Sequence, residues 1–207
     1  MKLNWAERWV VNSPTQVLKQ RHELRWMKKT ESLAEGAKIL EVGCGRGLGA
    51  LLINETFRPS LLHALDLDIR MVLKAKAHLS RRDEERISIS VGDVFDLPFK
   101  DNALDAVFGF GVLHHVQDWR GAIREIARVL KTGGHYFIEE LYPTLYQNFI
   151  TKHILLHPKE DRFFSQDLRD ALKGAGIPLD KALELKKAGI IGVAIKNGEQ
   201  ISQSAKR

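Results

Sequence analysis

The chain has 207 residues and a net charge of +6, with 44% hydrophobic and 28% charged residues. This size fits one domain, and the composition is that of an ordinary globular protein with a sizeable core. Its apolar runs are short and broken by charges, which excludes a transmembrane span, and residues 1–30 carry too many charges for a secretory leader. The single cysteine, Cys44, excludes an internal disulfide, so we expect a cytoplasmic protein.

The positive charge is modest and spread along the chain. Basic residues occur in pairs such as Lys28-Lys29 and never in a run of five, which argues against nucleic acid as a partner. A phosphate-bearing acceptor or an anionic membrane surface remains compatible with this charge.

The first 34 residues are predicted to be helical and to form an N-terminal cap ahead of the first strand. Ser13 and Pro14 have the pattern of an N-cap followed by proline at the first helical position. Trp5 and Trp9 would share one face of an earlier helix. Such a segment suits a cap over a binding site, peripheral contact with a membrane, or a helix packed on the flank of the domain.

From residue 36 onward, short apolar runs alternate with helical patterns, which predicts βαβ units and a parallel sheet. One of the helices carries Trp119 and Leu130 on its apolar face and is expected to end at Gly133-Gly134. Five strands are predicted, at residues 38–42, 61–65, 87–91, 104–108 and 136–138.

After residue 140 the pattern changes. Residues 141–164 are rich in aromatic side chains and are predicted to form an insertion, and Ser165 begins a final helix. Two further strand-like runs, at 182–185 and 190–195, are close enough to form a hairpin. Because a hairpin is antiparallel, the chain is predicted to be a single α/β domain: a Rossmann-like, mostly parallel seven-stranded sheet with a reversed terminal strand and N-terminal helices.

The first strand runs into a glycine-rich turn, since residues 39–47 read ILEVGCGRG. Glycine lets the backbone bend sharply and approach a ligand closely, and open parallel sheets bind ligands at the carboxyl ends of their strands. Asp66 follows about 20 residues later, where a carboxylate accepts hydrogen bonds from ribose hydroxyls. These features suit NAD and S-adenosylmethionine alike.

Three details favour S-adenosylmethionine. The glycines are spaced GxGxG, with Leu48 where a dinucleotide fingerprint places its third glycine or alanine. Glu41, just before the turn, would repel a pyrophosphate and suits a cationic ligand. Asp93 follows the third strand, where its carboxylate can accept from an exocyclic amine.

These blocks resemble the class I S-adenosylmethionine-dependent methyltransferases, particularly the small-molecule enzymes. The resemblance covers about residues 36–140 and implies that this segment is the cofactor-binding core. It also implies methyl transfer from S-adenosylmethionine, with S-adenosylhomocysteine as product. Thr132 departs from the pattern, because proline is commoner there. The matching blocks are residues 39–47, 64–68, 92–99, 105–115 and 128–134.

The resemblance also implies how the cofactor is held. Asp66 would accept both ribose hydroxyls, and Leu67 would lie against the adenine. Asp93 would accept from the adenine amine, and Val94 would supply a backbone N–H. The residues expected around the methionine end are Glu41, Gly43, Cys44, Gly45, Gly109 and Phe110.

Methyl transfer requires an aligned nucleophile, and an oxygen or nitrogen nucleophile also needs a general base. Candidate bases are His114 and His115, with Glu139 as a further possibility. Cys44 fits a packing residue better than a nucleophile. No metal site is expected, because His153 and His157 form only a scattered pair. The candidate acceptor contacts are Glu140, Tyr142 and Tyr146, near the start of residues 141–164, which would lie on the acceptor side.

The identity of the acceptor stays open. The chain has neither the Asn-Pro-Pro-aromatic block of enzymes that methylate adenine or glutamine nor the Pro-Cys pair of cytosine-ring methylation. The aromatic residues of 141–164 suit a small-molecule or lipid-like acceptor, or else pack the added helices. Two alternatives remain, a non-catalytic S-adenosylmethionine-binding subunit and an NAD-dependent oxidoreductase. The oligomeric state is not predicted.

Overall fold

The computed structural model describes residues 14–79, 85–146, 161–185 and 187–198. Their centre is one seven-stranded sheet, and the helices pack on both of its faces. The strands are β1 (Lys38–Val42), β2 (Leu61–Asp66), β3 (Ile87–Val91), β4 (Leu104–Phe110), β5 (Leu130–Leu141), β6 (Leu179–Leu185) and β7 (Gly189–Ile195). The helices are α1 (Pro14–Thr30), α2 (Leu48–Phe57), α3 (Ile69–His78), α4 (Trp119–Val129), α5 (Pro143–Tyr146) and α6 (Ser165–Gly174).

The strand order is β3-β2-β1-β4-β5-β7-β6. The first five strands pair in parallel, and β7 pairs antiparallel with both β5 and β6. In this sheet β7 therefore runs opposite to the other strands, as the terminal hairpin predicted. The predicted fold class is confirmed.

The centre of the sheet is apolar on both faces because helices cover it from both sides. Ala106, Val107 and Phe108 of β4 are fully buried. Helices α1, α2 and α3 pack on one face, and α4 and α6 on the other. The carboxyl ends of β1 to β5 consequently lie side by side between the two helical layers.

Several predicted element boundaries are wrong. Helix α4 ends at Val129 instead of Gly133-Gly134, and β5 begins directly at Leu130 and continues for 12 residues. The N–H of Gly133 donates to the carbonyl of Lys196, so this glycine lies in an irregular start of the strand instead of capping the helix. The predicted N-terminal helix also ends earlier, at Thr30.

Helix α1 runs along one face of the sheet, from the carboxyl end of β5 toward the amino end of β6. Near its start, the Nζ of Lys19 lies 2.6 Å from the Oε1 of Glu139 at the carboxyl end of β5. At its end, Glu31 pairs with Lys181 near the start of β6. Within the described ranges, no helix is long and apolar enough to cross a membrane.

Several predictions fall on residues outside the described ranges. These include the two tryptophans of the expected earlier helix, the N-cap and the histidine pair. The division into cap, core, insertion and hairpin also stays a prediction. The residues concerned are Trp5, Trp9, Ser13, His153 and His157.

Candidate functional site

A cavity of about 450 Å³ opens at the carboxyl ends of β1 to β4. Its wall is mostly apolar, with carboxylates on one side and a histidine and a glutamine on the other. The lining residues are Val42, Gly43, Gly45, Leu65, Asp66, Leu67, Asp68, Met71, Gly92, Asp93, Val94, Phe95, Leu97, Phe110, Gly111, Val112, His115, Val116 and Gln117.

The glycine-rich turn forms the floor of this cavity. Gly43 and Gly45 both have positive φ, at 69° and 54°, a conformation that glycine adopts without strain. The N–H of Cys44 donates to the carbonyl of Leu65 at 2.9 Å, and the N–H of Gly45 donates to Asp66 Oδ2 at 2.8 Å. These bonds fix the turn against the end of β2.

Gly43→Ala tests how tightly the turn is packed. A Cβ at Gly43 would lie 2.6 Å from a methyl carbon of Val112, in addition to the strain of its positive φ. We expect a loss of about 2–3 kcal/mol in the free energy of unfolding and a displaced turn. Urea unfolding measures the loss. The matched control is Gly133→Ala, which has positive φ but no atom within 4 Å and should cost about 1 kcal/mol. Equal losses in the two variants would contradict the packing argument.

The two carboxylates predicted to bind the adenosine part both line the cavity. Asp66 accepts from the backbone N–H groups of Gly45 and Asp68, each at 2.8 Å, and burial raises its pKa. Asp93 accepts from the N–H of Phe95 at 3.0 Å. Leu67 and Val94, predicted beside them, also line the cavity, and Leu67 is half-exposed.

Glu41 lies behind the turn and is not among the lining residues. Its carboxylate packs against Gly49 at the start of α2, leaving no room for a larger residue there. The Oε2 atom is buried and has no hydrogen-bond partner among the described residues. Burial and the nearby charge of Asp66 raise the pKa of Glu41 to about 8.

Two other predicted cofactor contacts also lie outside the cavity wall. The side chain of Cys44 is buried beneath the turn, so it packs in the core. Burial also raises the pKa of its thiol. Gly109 is inside β4, where a Cβ would lie 2.9 Å from the hydroxyl oxygen of Tyr136. Gly109 therefore makes room for a core side chain, whereas its neighbour Phe110 lines the cavity as predicted.

The segment after β4, residues 111–117, forms one side of the cavity, and we refer to it as the wall loop. It contributes Gly111, Val112, His115, Val116 and Gln117 to the lining. Of these five residues, the sequence analysis named only His115 as a candidate site residue. The available signal was their position directly after a parallel strand, where ligands bind in such sheets.

The adjacent histidines have different surroundings. His115 lines the cavity, whereas His114 is buried, with its Nδ1 2.8 Å from Glu140 Oε2. Their rings lie 4.3 Å apart. His114 thus lies in the loop's internal hydrogen-bond network, and His115 is the candidate base that faces the ligand space.

The predicted acceptor contacts Glu140 and Tyr142 are turned away from the cavity. Both are fully buried, and neither is among the lining residues. Glu140 is enclosed by backbone N–H groups of the wall loop, and the Tyr142 hydroxyl donates to Glu184 at 2.9 Å. Tyr146 ends α5, and its side chain lies outside what the structure describes.

Glu139, the further candidate base, is tied to α1. Its Oε1 accepts from Lys19, which also pairs with Glu23 at 3.2 Å. Burial lowers the pKa of Lys19, but the two carboxylates outweigh it and raise the pKa overall. Glu139 therefore anchors the first part of α1 beside the carboxyl end of β5.

Comparison with known proteins agrees with this geometry. The family model described as a methyltransferase domain matches residues 40–138, which include the glycine turn, Asp66, Asp93 and most of β5. Residues 40–138 therefore match a methyltransferase domain, and the chain is similar to S-adenosylmethionine-dependent methyltransferases.

Two curated relatives and one solved structure illustrate the similarity. The fatty-acid O-methyltransferase of Mycolicibacterium smegmatis is 35% identical over 53% of this chain and 39% of that protein. The demethylmenaquinone methyltransferase of Listeria monocytogenes is 32% identical over 54% of this chain and 48% of that protein. The matches therefore span less than half of these two curated relatives.

The solved structure is an S-adenosylmethionine-dependent methyltransferase from Aquifex aeolicus. It superposes with a TM-score of 0.65 at 19% identity, over 88% of this chain and 98% of that chain. At this identity the likeness concerns the fold, and it covers more of the chain than the matched residues 40–138.

The methyltransferase cofactor, S-adenosylmethionine, fits the cavity chemically. The open floor at Gly45, where a Cβ would meet no atom within 4 Å, leaves space for a ligand against the backbone. Asp66 and Asp93 offer acceptors for hydroxyl and amine donors. Behind the turn, the buried Oε2 of Glu41 has no hydrogen-bond partner among the described residues, and a cationic ligand in the cavity would favour the ionised form of this carboxyl group, which a pyrophosphate would not.

Proposed function

We propose that this chain transfers the methyl group of S-adenosylmethionine to a small, apolar, lipid-like acceptor. The observation that carries this proposal is the single cavity in which the glycine turn, Asp66 and Asp93 meet the apolar wall loop. The carboxylate side suits the polar adenosine part of the cofactor. The wall-loop side offers Val112 and Val116, which suit an apolar acceptor.

When bound, the cofactor supplies an activated methyl group on a positively charged sulfur. The chain's own residues then have to orient it and exclude water. Gly43 and Gly45 would hold the methionine part, Asp66 the ribose and Asp93 the adenine amine. His115 would accept the proton from an acceptor hydroxyl, and Gln117 would orient the same group from the wall loop.

The acceptor class is also supported by the relatives. One is named for methylating a fatty acid and the other for demethylmenaquinone. Both names denote largely apolar molecules, and the wall loop offers few polar groups to recognise anything else. The proposed acceptor is therefore a fatty acid or the reduced, hydroxyl-bearing form of a quinone with an apolar tail.

Transfer of labelled methyl groups to these two acceptors tests the proposal. We expect methylation of at least one of them. The His115→Phe variant then distinguishes the two kinds of acceptor by its effect on kcat. A fatty acid is already ionised at neutral pH and needs no base, so its kcat should change little in this variant. A ring hydroxyl must lose a proton, so its kcat should fall by about 10²- to 10⁴-fold.

The control for this assay is cofactor affinity. His115→Phe should bind S-adenosylhomocysteine within about threefold of the unmodified protein, because the adenosine contacts lie on the opposite side of the cavity. Cofactor binding without transfer to any acceptor would contradict the proposed activity and favour a non-catalytic binding subunit. Binding of NADH alone would overturn the proposed cofactor as well.

A further inference from the structure

Glu140 is a fully buried carboxylate near the end of β5. Its Oε1 accepts from the backbone N–H groups of Val112 and Leu113, at 2.9 and 2.7 Å. Its Oε2 accepts from the N–H of His114 at 3.3 Å and lies 2.8 Å from the Nδ1 of the same residue. One side chain therefore binds three consecutive residues of the wall loop.

Arg162 holds the same loop through its carbonyl groups. One terminal nitrogen donates to the carbonyl of His114 at 3.0 Å. The other donates to the carbonyls of Val116 and Gln117, at 3.2 and 3.5 Å. Three N–H groups of the loop are thus directed to a carboxylate, and three of its carbonyls are directed to a guanidinium.

These contacts lead directly to the cavity. Val112, whose N–H is bound by Glu140, packs against the turn at Gly43. His115, Val116 and Gln117, which line the cavity, follow within the same few residues. Because hydrogen bonds to charged groups are strong, and water cannot replace the buried ones to Glu140, the loop is held in one position.

We propose that Glu140 and Arg162 are positioning residues that hold the wall loop against the glycine turn and thereby increase the affinity of the cavity for the cofactor. This inference rests on the proposed function in one respect, because it takes the cavity to be the cofactor site. Neither residue lines the cavity, and both act through the loop between them.

Glu140→Gln provides the first test. Glutamine has the same size, but its NH₂ group replaces one acceptor oxygen and faces N–H donors. We expect affinity for S-adenosylhomocysteine, measured by calorimetry, to fall at least tenfold, and kcat to fall with it. Arg162→Met removes the carbonyl contacts from a part-buried side chain and should lower affinity by about threefold to tenfold. It serves as the deciding variant if Glu140→Gln does not fold.

Glu184→Gln is the matched control, because Glu184 also accepts several side-chain hydrogen bonds, from Tyr142, Ser165 and Arg169, but does not line the cavity or bind the loop. It should lose stability and keep its affinity. Folded Glu140→Gln and Arg162→Met proteins with affinities within twofold of the unmodified protein would overturn the positioning role. Failure of the unmodified protein to bind S-adenosylhomocysteine would instead overturn the cofactor assignment on which the inference rests.

Discussion

Asp66→Ala should bind S-adenosylmethionine and S-adenosylhomocysteine at least tenfold more weakly, a loss of about 1.4 kcal/mol or more. The carboxylate lines the cavity and also accepts from the N–H of Gly45. Its removal deletes the proposed ribose acceptor and releases one anchor of the glycine turn. Both effects lower affinity, and calorimetric titration measures their sum.

Two further variants separate these effects. Asp66→Asn keeps one acceptor oxygen for Gly45, so it should retain the turn and lose mainly the ribose contact, giving an intermediate affinity. Asp96→Ala removes an exposed carboxylate that does not line the cavity and should bind both ligands as the unmodified protein does. Unchanged affinity in Asp66→Ala would place the ribose elsewhere and contradict the proposed binding mode.

Local sequence signals predicted the cofactor side of the site well. The strand, the glycine turn and the acid at the next strand end are each encoded within a few neighbouring residues. Since parallel strands bring their carboxyl ends to one edge, Gly43, Asp66 and Asp93 were expected to converge, and all three line one cavity. Their roles toward the cofactor remain predictions.

The acceptor side was predicted less well because its contacts join distant parts of the chain. Glu139 and Glu140 are neighbours on β5, and successive side chains of a strand point to opposite faces. Sequence alone does not say that Glu139 meets Lys19, 120 residues away, or that Glu140 meets the wall loop. Arg162 gave no signal, since its partners are backbone carbonyls.

Glu41→Gln should remove a pH dependence of stability. The ordinary pKa of Glu41 is 4.5, and in the folded protein burial and the charge of Asp66 raise it to about 8. Between these values the folded state holds a proton that the unfolded state has released. The contribution of Glu41 to the free energy of unfolding should therefore be fully present below about pH 4.5 and be lost as pH rises toward 8, by on the order of 3–5 kcal/mol.

Urea unfolding of both proteins from pH 5 to pH 9 measures this effect, and their difference isolates Glu41 from other titrating groups. The two should be similarly stable at pH 5, and Glu41→Gln should be the more stable at pH 8.5. Glu125→Gln is the control of opposite sign, because the hydrogen bond from Arg128 lowers the pKa of Glu125, so its ionised form stabilises the fold at neutral pH. A difference between unmodified and Glu41→Gln proteins that stays constant with pH would show that Glu41 ionises normally, and a buried negative charge would then lie behind the glycine turn at neutral pH.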